Sequence, residues 1–198
     1  MAGILKFLLI LLAINFYTSV GRELNEKSSS TSAYQEFIKT SCGATTYRSL
    51  CISSLSSQAS SIQTSPKLLA HAALNVTLSA AKSTSTMMYK LSQSHGMKPR
   101  EVQAMRDCIE ELSDTIDELR KSIREMGEIN SSNYELTISD IQTWVSAALT
   151  DESTCSDGFA GNSMNGNVKT AVRGQIVNIS HLTSNALALF NSYASLHD

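Results

Sequence analysis

Past its first residues the chain has no second long apolar run, so no segment beyond the N-terminus is predicted to enter a membrane and the mature protein is expected to be soluble. No Lys/Arg cluster stands out. Removing residues 1–21, which hold one base (Lys6) and no acid, leaves 15 bases against 18 acids, a formal charge of −3. That balance excludes a nucleic-acid-binding surface. No stretch alternates apolar and polar residues with period two, which argues against any sheet. There is no Cys-x-x-Cys pair, no His near a cysteine, and no H-x-x-x-H or H-E-x-x-H arrangement, so neither a structural nor a catalytic metal site is expected. The two prolines, Pro66 and Pro99, both stand where a helix opens rather than inside one.

What is present begins with a leader. Lys6 precedes an unbroken apolar run at 7–14, and the small residues Thr18, Ser19 and Gly21 follow. The run is too short to span a bilayer, and the order matches a secretory signal peptide cut near Gly21. Residues 22–32 are polar and Ser-rich and read as a loose N-terminal arm. The remaining 33–198 suits one domain.

Four cysteines in an oxidising compartment imply two disulfides with three possible pairings. Cys42 and Cys51 flank Gly43 closely enough for a local bridge to be the simplest choice, which leaves Cys108 with Cys155. Loop-closure entropy assigns these bridges roughly 2.5 and 4 kcal/mol.

Helical periodicity dominates the rest. Residues 33–60 hold two short helical patterns joined at Cys42-Gly43, with Phe37, Ile38, Tyr47, Leu50 and Leu55 as their apolar positions. Four long helices are predicted across 65–197. The first opens at Ser65-Pro66 and carries Leu69, Ala73, Val76, Ala80, Met87 and Leu91. The second opens at Pro99 and has the strongest seam: Val102, Met105, Ile109, Leu112, Ile116, Leu119, Ile123 and Met126, in steps of three and four. Cys108 falls beside that seam. The third starts from a capping box at Ser132-Asn133-Tyr134-Glu135 and carries Ile138, Ile141, Val145 and Ala148. A Gly- and Asn-rich loop is expected over 151–167. The last helix places Val172, Ile179, Leu182, Ala186, Leu189 and Tyr193 on one face, with Gln175 interrupting it. Short connections between such helices give an all-α, up-down-up-down four-helix bundle preceded by a helical hairpin.

Chemistry is sparse. Gly161-Asn162-Ser163-Met164-Asn165 approaches the G-x-S-x-G nucleophile elbow but lacks the final glycine and the preceding strand. His71, His95, His181 and His197 are scattered. The second long helix is dense in acids, including Glu110, Asp114 and Asp117, interleaved with Arg106, Arg120, Lys121 and Arg124. They form a solvated face with i,i+4 pairs or an acidic partner surface. Thr77, Ser79, Ser83, Thr84, Ser85 and Thr86 give the first long helix a hydroxyl-rich side that reads as a docking face. Asn75, Asn130 and Asn178 open glycosylation sequons, with Asn130 in an expected loop. No catalytic, cofactor-binding or metal-ligating residue is assigned.

Four stretches carry a resemblance: the ten residues from Cys42 to Cys51, Asp107-Cys108-Ile109-Glu110, Trp144-Val145-Ser146-Ala147-Ala148-Leu149-Thr150 followed by Cys155-Ser156-Asp157-Gly158-Phe159, and Leu182-Thr183-Ser184-Asn185-Ala186-Leu187-Ala188. In this order, with four cysteines and a leader, the chain resembles the plant invertase and pectin methylesterase inhibitor family. The resemblance implies a four-helix bundle with an N-terminal helical hairpin and supports the pairing Cys42–Cys51 and Cys108–Cys155. It also implies an extracellular protein of the plant cell wall, monomeric when free, that blocks the cleft of a wall enzyme and brings no catalytic residue or cofactor.

Within the family, invertase inhibitors are similar to one another in a Pro-Lys-Phe triplet between the last two helices. Here the 151–167 loop has no proline, and the nearest match is Pro66-Lys67-Leu68 on another helix. The departure favours pectin methylesterase as partner, with Thr84, Glu110, Asp114 and Asp117 as contact residues. Acid invertase is the alternative target, and a separate copy of the inhibitor-like pro-region of plant pectin methylesterases is a third reading. From a different class, a secreted four-helix signalling ligand shares the bundle, but such ligands have long crossover loops.

Overall fold

The computed structural model describes residues 30–94, 96–161 and 166–196. The leader expected at 1–21, residues 22–29 of the arm, His95, His197 and all but the first residue of the 161–165 motif lie outside the described residues. Among the described residues every regular element is helical. Helix α1 covers 30–42, so residues 30–32, expected in a loose arm, instead form the first turn of a helix that buries Ile38. The short helices α2 (Arg48–Leu55) and α3 (Ala59–Ile62) follow, separated by a 3-10 turn, and four long helices complete the chain. These are α4 (Pro66–Ser92), α5 (Pro99–Glu128), α6 (Tyr134–Gly158) and α7 (Asn167–Ala194).

The long helices have 27, 30, 25 and 28 residues, each about 40 Å long at 1.5 Å per residue. Connections of a few residues between rods of that length force neighbours to run antiparallel. α5 packs on α6, α6 on α7, α7 on α4 and α4 on α5, which closes the four into a bundle. The α1–α2 hairpin lies across α4 and α7.

Local chemistry accounts for the helix starts. Ser65 caps α4, its Oγ accepting from Leu68 N–H at 3.3 Å, with Pro66 at the first helical position. At α5, Glu101 Oε2 accepts from Lys98 N–H at 2.8 Å. The capping box predicted at Ser132 does not form. Asn133 is the residue before α6, and Ser132 Oγ instead donates to Asn130 Oδ1 at 2.6 Å. Asn133 Oδ1 accepts from Asn130 N–H at 2.8 Å. The side chains of Asn130, Ser132 and Asn133 are taken up by hydrogen bonds within the turn, and the helix starts one residue later. After Cys42 the chain turns at Gly43, where a Cβ would come within 2.9 Å of the Thr40 carbonyl oxygen. Glycine relieves that contact.

Packing rotates or extends all four of the expected stripes. On α5, Met105, Leu112, Ile116, Leu119 and Met126 are buried, but Val102 is 42% exposed and Ile109 only half-buried. Cys108, Thr115 and Ser122 replace them in the core, so Cys108 sits on the packing face rather than beside it. On α4, Thr77 and Thr84 are buried among alanines and leucines. α6 does not end at 150. Its stripe continues from Ala148 through Glu152 and Cys155, and only 159–166 connects it to α7. The charged Glu152 disguised that continuation. On α7, Gln175 is exposed and Ile176 takes the core position, giving an uninterrupted Val172, Ile176, Ile179 run. Disulfides join Cys42 to Cys51, closing the α1–α2 turn, and Cys108 to Cys155, tying α5 to α6.

Candidate partner-binding surface

Two adjacent helices present the side chains expected to meet a partner. On α4, Ser79, Lys82, Ser83, Thr86 and Tyr89 recur every three to four residues and stay exposed, Tyr89 by 61%. That spacing puts them on one face. Thr84, expected among them, points inward and is 3% exposed, so it offers a partner nothing. Thr77 is likewise internal, its Oγ1 donating to the Ala73 carbonyl at 2.9 Å. A stretch of hydroxyls and small residues with Lys82 as its one charge between Lys67 and Lys90 marks its outer face weakly, and burial divided the hydroxyls between core and surface.

On α5, Glu110, Asp114 and Asp117 are all exposed. Asp117 accepts a hydrogen bond from Arg120 at 2.8 Å, and Gln103 donates to Asp107 at 2.7 Å, so the face is partly self-paired. An ion pair this exposed contributes about 0–1 kcal/mol and yields readily to a partner. Between the helices, Tyr89, Ser92 and Gln93 of α4 face Val102, Arg106 and Ile109 of α5 across a depression of about 300 Å³. This is a shallow groove with exposed aromatic and aliphatic side chains and a polar rim.

The other side of α5 meets α6. Glu111 and Glu118 there face Asp151 and Glu152, with the exposed Asp114 at the edge between the two sides. Burial, and then the neighbouring Asp151 and Asp114, push the Glu118 carboxyl up to about 8, with Lys121 partly offsetting them. Burial alone dominates at Glu152, which is wholly enclosed and also rises to about 8 against the hydrogen bonds from Thr183 and Ser180. Asp151 and Glu111 are raised too, first by burial. Lys121 Nζ lies 4.3 Å from the centre of the Trp144 ring, bracing the same interface. Sequence reasoning placed Asp151 and Glu152 in a loop. The only signal that might have found them was the continued spacing 141, 145, 148, 152, 155.

The hairpin is held by residues whose type gave no hint of that role. Asn185 Oδ1 accepts from Tyr47 N–H at 3.1 Å, and Asn185 Nδ2 donates to the Tyr47 carbonyl at 3.0 Å. The Tyr47 ring stacks on His181 with centroids 3.5 Å apart. His71 lies beside Asn75 on α4, and its carbonyl accepts from Asn75 Nδ2 at 2.9 Å. The three sequon asparagines are exposed. Asn130 stands in the α5–α6 turn, whereas Asn75 and Asn178 are on helices, and Thr77 of the Asn75 sequon is buried. Among the described residues no group of His, Cys, Asp or Glu is arranged to hold a metal ion, and no helix is long and apolar enough to cross a membrane.

Residues 36–189 match the family described as plant invertase/pectin methylesterase inhibitor. The chain is 49% identical over 162 residues to pectinesterase inhibitor 11 of Arabidopsis thaliana, covering 80% of each chain. It is 40% identical over 194 residues to pectinesterase inhibitor 9 of the same plant, covering 95% of this chain and 93% of that protein. In fold it is similar to the crystal structure of a mutant form of a pectin methylesterase inhibitor from Arabidopsis, with a TM-score of 0.62 at 23% identity, over 76% of this chain and 92% of that one.

Proposed function

Because the chain belongs to the plant invertase/pectin methylesterase inhibitor family, we propose that it is a secreted, non-enzymatic inhibitor of pectin methylesterase in the plant cell wall. The observation that carries this reading is its 49% identity, along four fifths of its length, to a protein named as a pectinesterase inhibitor. The α6–α7 connection at 159–166 contains no proline, and that absence favours the esterase over acid invertase.

The mechanism follows from the α4–α5 face. A rigid two-helix ridge laid along an extended polysaccharide-binding cleft excludes the polymer without taking part in the chemistry. Tyr89 and Val102 supply apolar contact. Glu110, Asp114 and Asp117 supply charge that speeds association with a basic esterase and weakens as salt rises. One inhibitor covering one cleft gives 1:1 stoichiometry. A glycan on Asn130, at the far end of α5, would leave this face free.

The test is inhibition of a purified basic pectin methylesterase, assayed against pectin and run beside acid invertase. Inhibition should be competitive with pectin and absent for invertase. The double change Glu110→Lys and Asp117→Lys should weaken inhibition about tenfold or more, equivalent to at least 1.4 kcal/mol, while leaving the melting temperature nearly unchanged. Inhibition of invertase alone would reverse the assignment of target.

A further inference from the structure

The interface between α5 and α6 brings together four carboxyl groups, Glu111, Glu118, Asp151 and Glu152. Glu111 and Glu118 stand two turns apart on α5, and Asp151 of α6 lies within hydrogen-bonding reach of both. Glu118 Oε2, Asp151 Oδ2 and Glu152 Oε2 are closed off from solvent and receive no hydrogen bond from any donor among the described residues. Two ionised carboxylates in contact can only repel, since neither has a hydrogen to give. A buried acceptor left without a donor costs about 1–3 kcal/mol, and more if charged. The arrangement is satisfied when a proton lies between the two groups, so that one donates to the other.

Glu152 repeats the logic one residue on. Thr183 Oγ1 lies 2.7 Å from Glu152 Oε1 and 3.1 Å from the Ile179 carbonyl. The hydroxyl has one hydrogen for these two acceptors. A proton on Glu152 lets both contacts form at once, Thr183 donating to Ile179 while Glu152 donates to Thr183.

We propose that Glu118 and Asp151 share a proton across the α5–α6 interface while Glu152 keeps one of its own beneath them, so that the fold carries a clasp that is closed in acid and loosens as protons leave. The surrounding groups agree. Asp114 on α5 adds negative charge toward the pair, Glu111 is a hydrogen-bonding neighbour of Asp151, and Lys121, stacked over Trp144, is the cation that offsets the charge at Glu118. From α7 the groups acting on Glu152 are the Ser180 and Thr183 hydroxyls, while His181 of that helix stacks on Tyr47. The disulfide between Cys108 and Cys155 spans the same two helices and keeps them in register when the clasp loosens.

The sign follows from the proton count. In the unfolded chain these glutamates titrate near 4.5, whereas the folded chain holds Glu118 and Glu152 protonated up to about 8. Between those values the folded state binds more protons than the unfolded state, so stability falls as pH rises. That contribution is fully present below about 4.5 and lost through about 8. The proposal concerns the fold alone and stands or falls apart from the identity of the enzyme partner.

Two measurements on the full chain, secreted from a eukaryotic host, test it. The melting temperature should fall by at least about 5 °C between pH 5 and pH 8.5, a floor that even a partial shift of the two groups reaches in a domain of this length. In the double variant Glu118→Gln, Glu152→Gln the fall should shrink by at least half, because the amides neither gain nor lose a proton in that range. Carbon-13 NMR of the side-chain carboxyls in the unmodified chain should find at least two that titrate above pH 6.5. A melting temperature that stays flat or rises over that range, or an equal fall in the double variant, would overturn the clasp. So would carboxyls that all titrate below pH 5.5, and this last measurement decides the matter even if the double variant does not fold.

Discussion

The two halves of the bundle are built on different principles. Where α4 meets α7 the buried side chains are aliphatic, small or aromatic, such as Leu74, Leu78, Ala81, Ile176, Ala186 and Phe190, and the polar ones among them are uncharged. Where α5 meets α6 the buried set includes Glu152 and the Cys108–Cys155 bridge, with Glu118 and Asp151 alongside. The α4–α7 half is held by area removed from water, which is indifferent to pH and redox state. The α5–α6 half adds carboxyl groups that destabilise unless protonated and a covalent bond that offsets them. The cross-link ties the same two helices that carry the buried carboxyl groups.

The sharpest way to break that contrast is to put a charge into the aliphatic half. Ile176 is fully buried on α7, and Ile176→Asp would enclose a carboxylate with no cation or donor. The expected loss is several kcal/mol, out of the 5–15 kcal/mol that a domain possesses, so the variant should fail to give a cooperative melting transition by circular dichroism. The neighbouring Gln175→Ala, on the exposed side, should stay within about 0.5 kcal/mol of the unmodified protein. A reversed ranking would mean that the face assigned to the core is wrong.

Next in size is the bridge. Replacing Cys108 and Cys155 together with serine should cost about 2–5 kcal/mol, and replacing the shorter-loop pair Cys42 and Cys51 should cost less, as loop-closure entropy requires. Denaturant unfolding of the two variants measures both. Equal losses would mean that the α5–α6 half does not depend on its covalent tie in the way its carboxyl groups imply.

The smallest effect is expected at the hairpin, which belongs to neither half. Asn185→Ala would remove both hydrogen bonds to the Tyr47 backbone, at about 1–3 kcal/mol. The loss should be local. Amide hydrogen exchange should quicken through α1 and α2 while α5 and α6 stay protected. Uniform quickening across the molecule would show that the hairpin and the bundle open as one unit.

How much of this was legible beforehand varies with the residue type at each position. The seam of α5 was readable because large aliphatic residues alternate with charges, so that Met105, Leu112, Ile116 and Leu119 had a single credible face. Ser65 and Pro66 announced the start of α4 because a cap and a first-turn proline act within one turn of chain. Glu110, Asp114 and Asp117 were legible as exposed, since they fall off the apolar seam of α5. Thr84 was not, because a threonine can satisfy its hydroxyl within its own helix and then pack like valine. Glu152 read as loop because it is charged, although its neighbours' spacing continued the helix.

Amino-acid order by itself determined the helical class, the number of long helices and the two disulfides, which are written in local spacing and cysteine count, and its four motif stretches carried the resemblance to the family. Tertiary structure alone decided which side of each helix faces inward by one or two positions, how far α6 extends, and that Glu118, Asp151 and Glu152 meet. The physical reason is that periodicity specifies a helix's face only to within its apolar width. The last rotation is set by what the neighbouring helix presents, and whether a carboxyl becomes a surface charge or a proton store depends on atoms that can be thirty or more residues away.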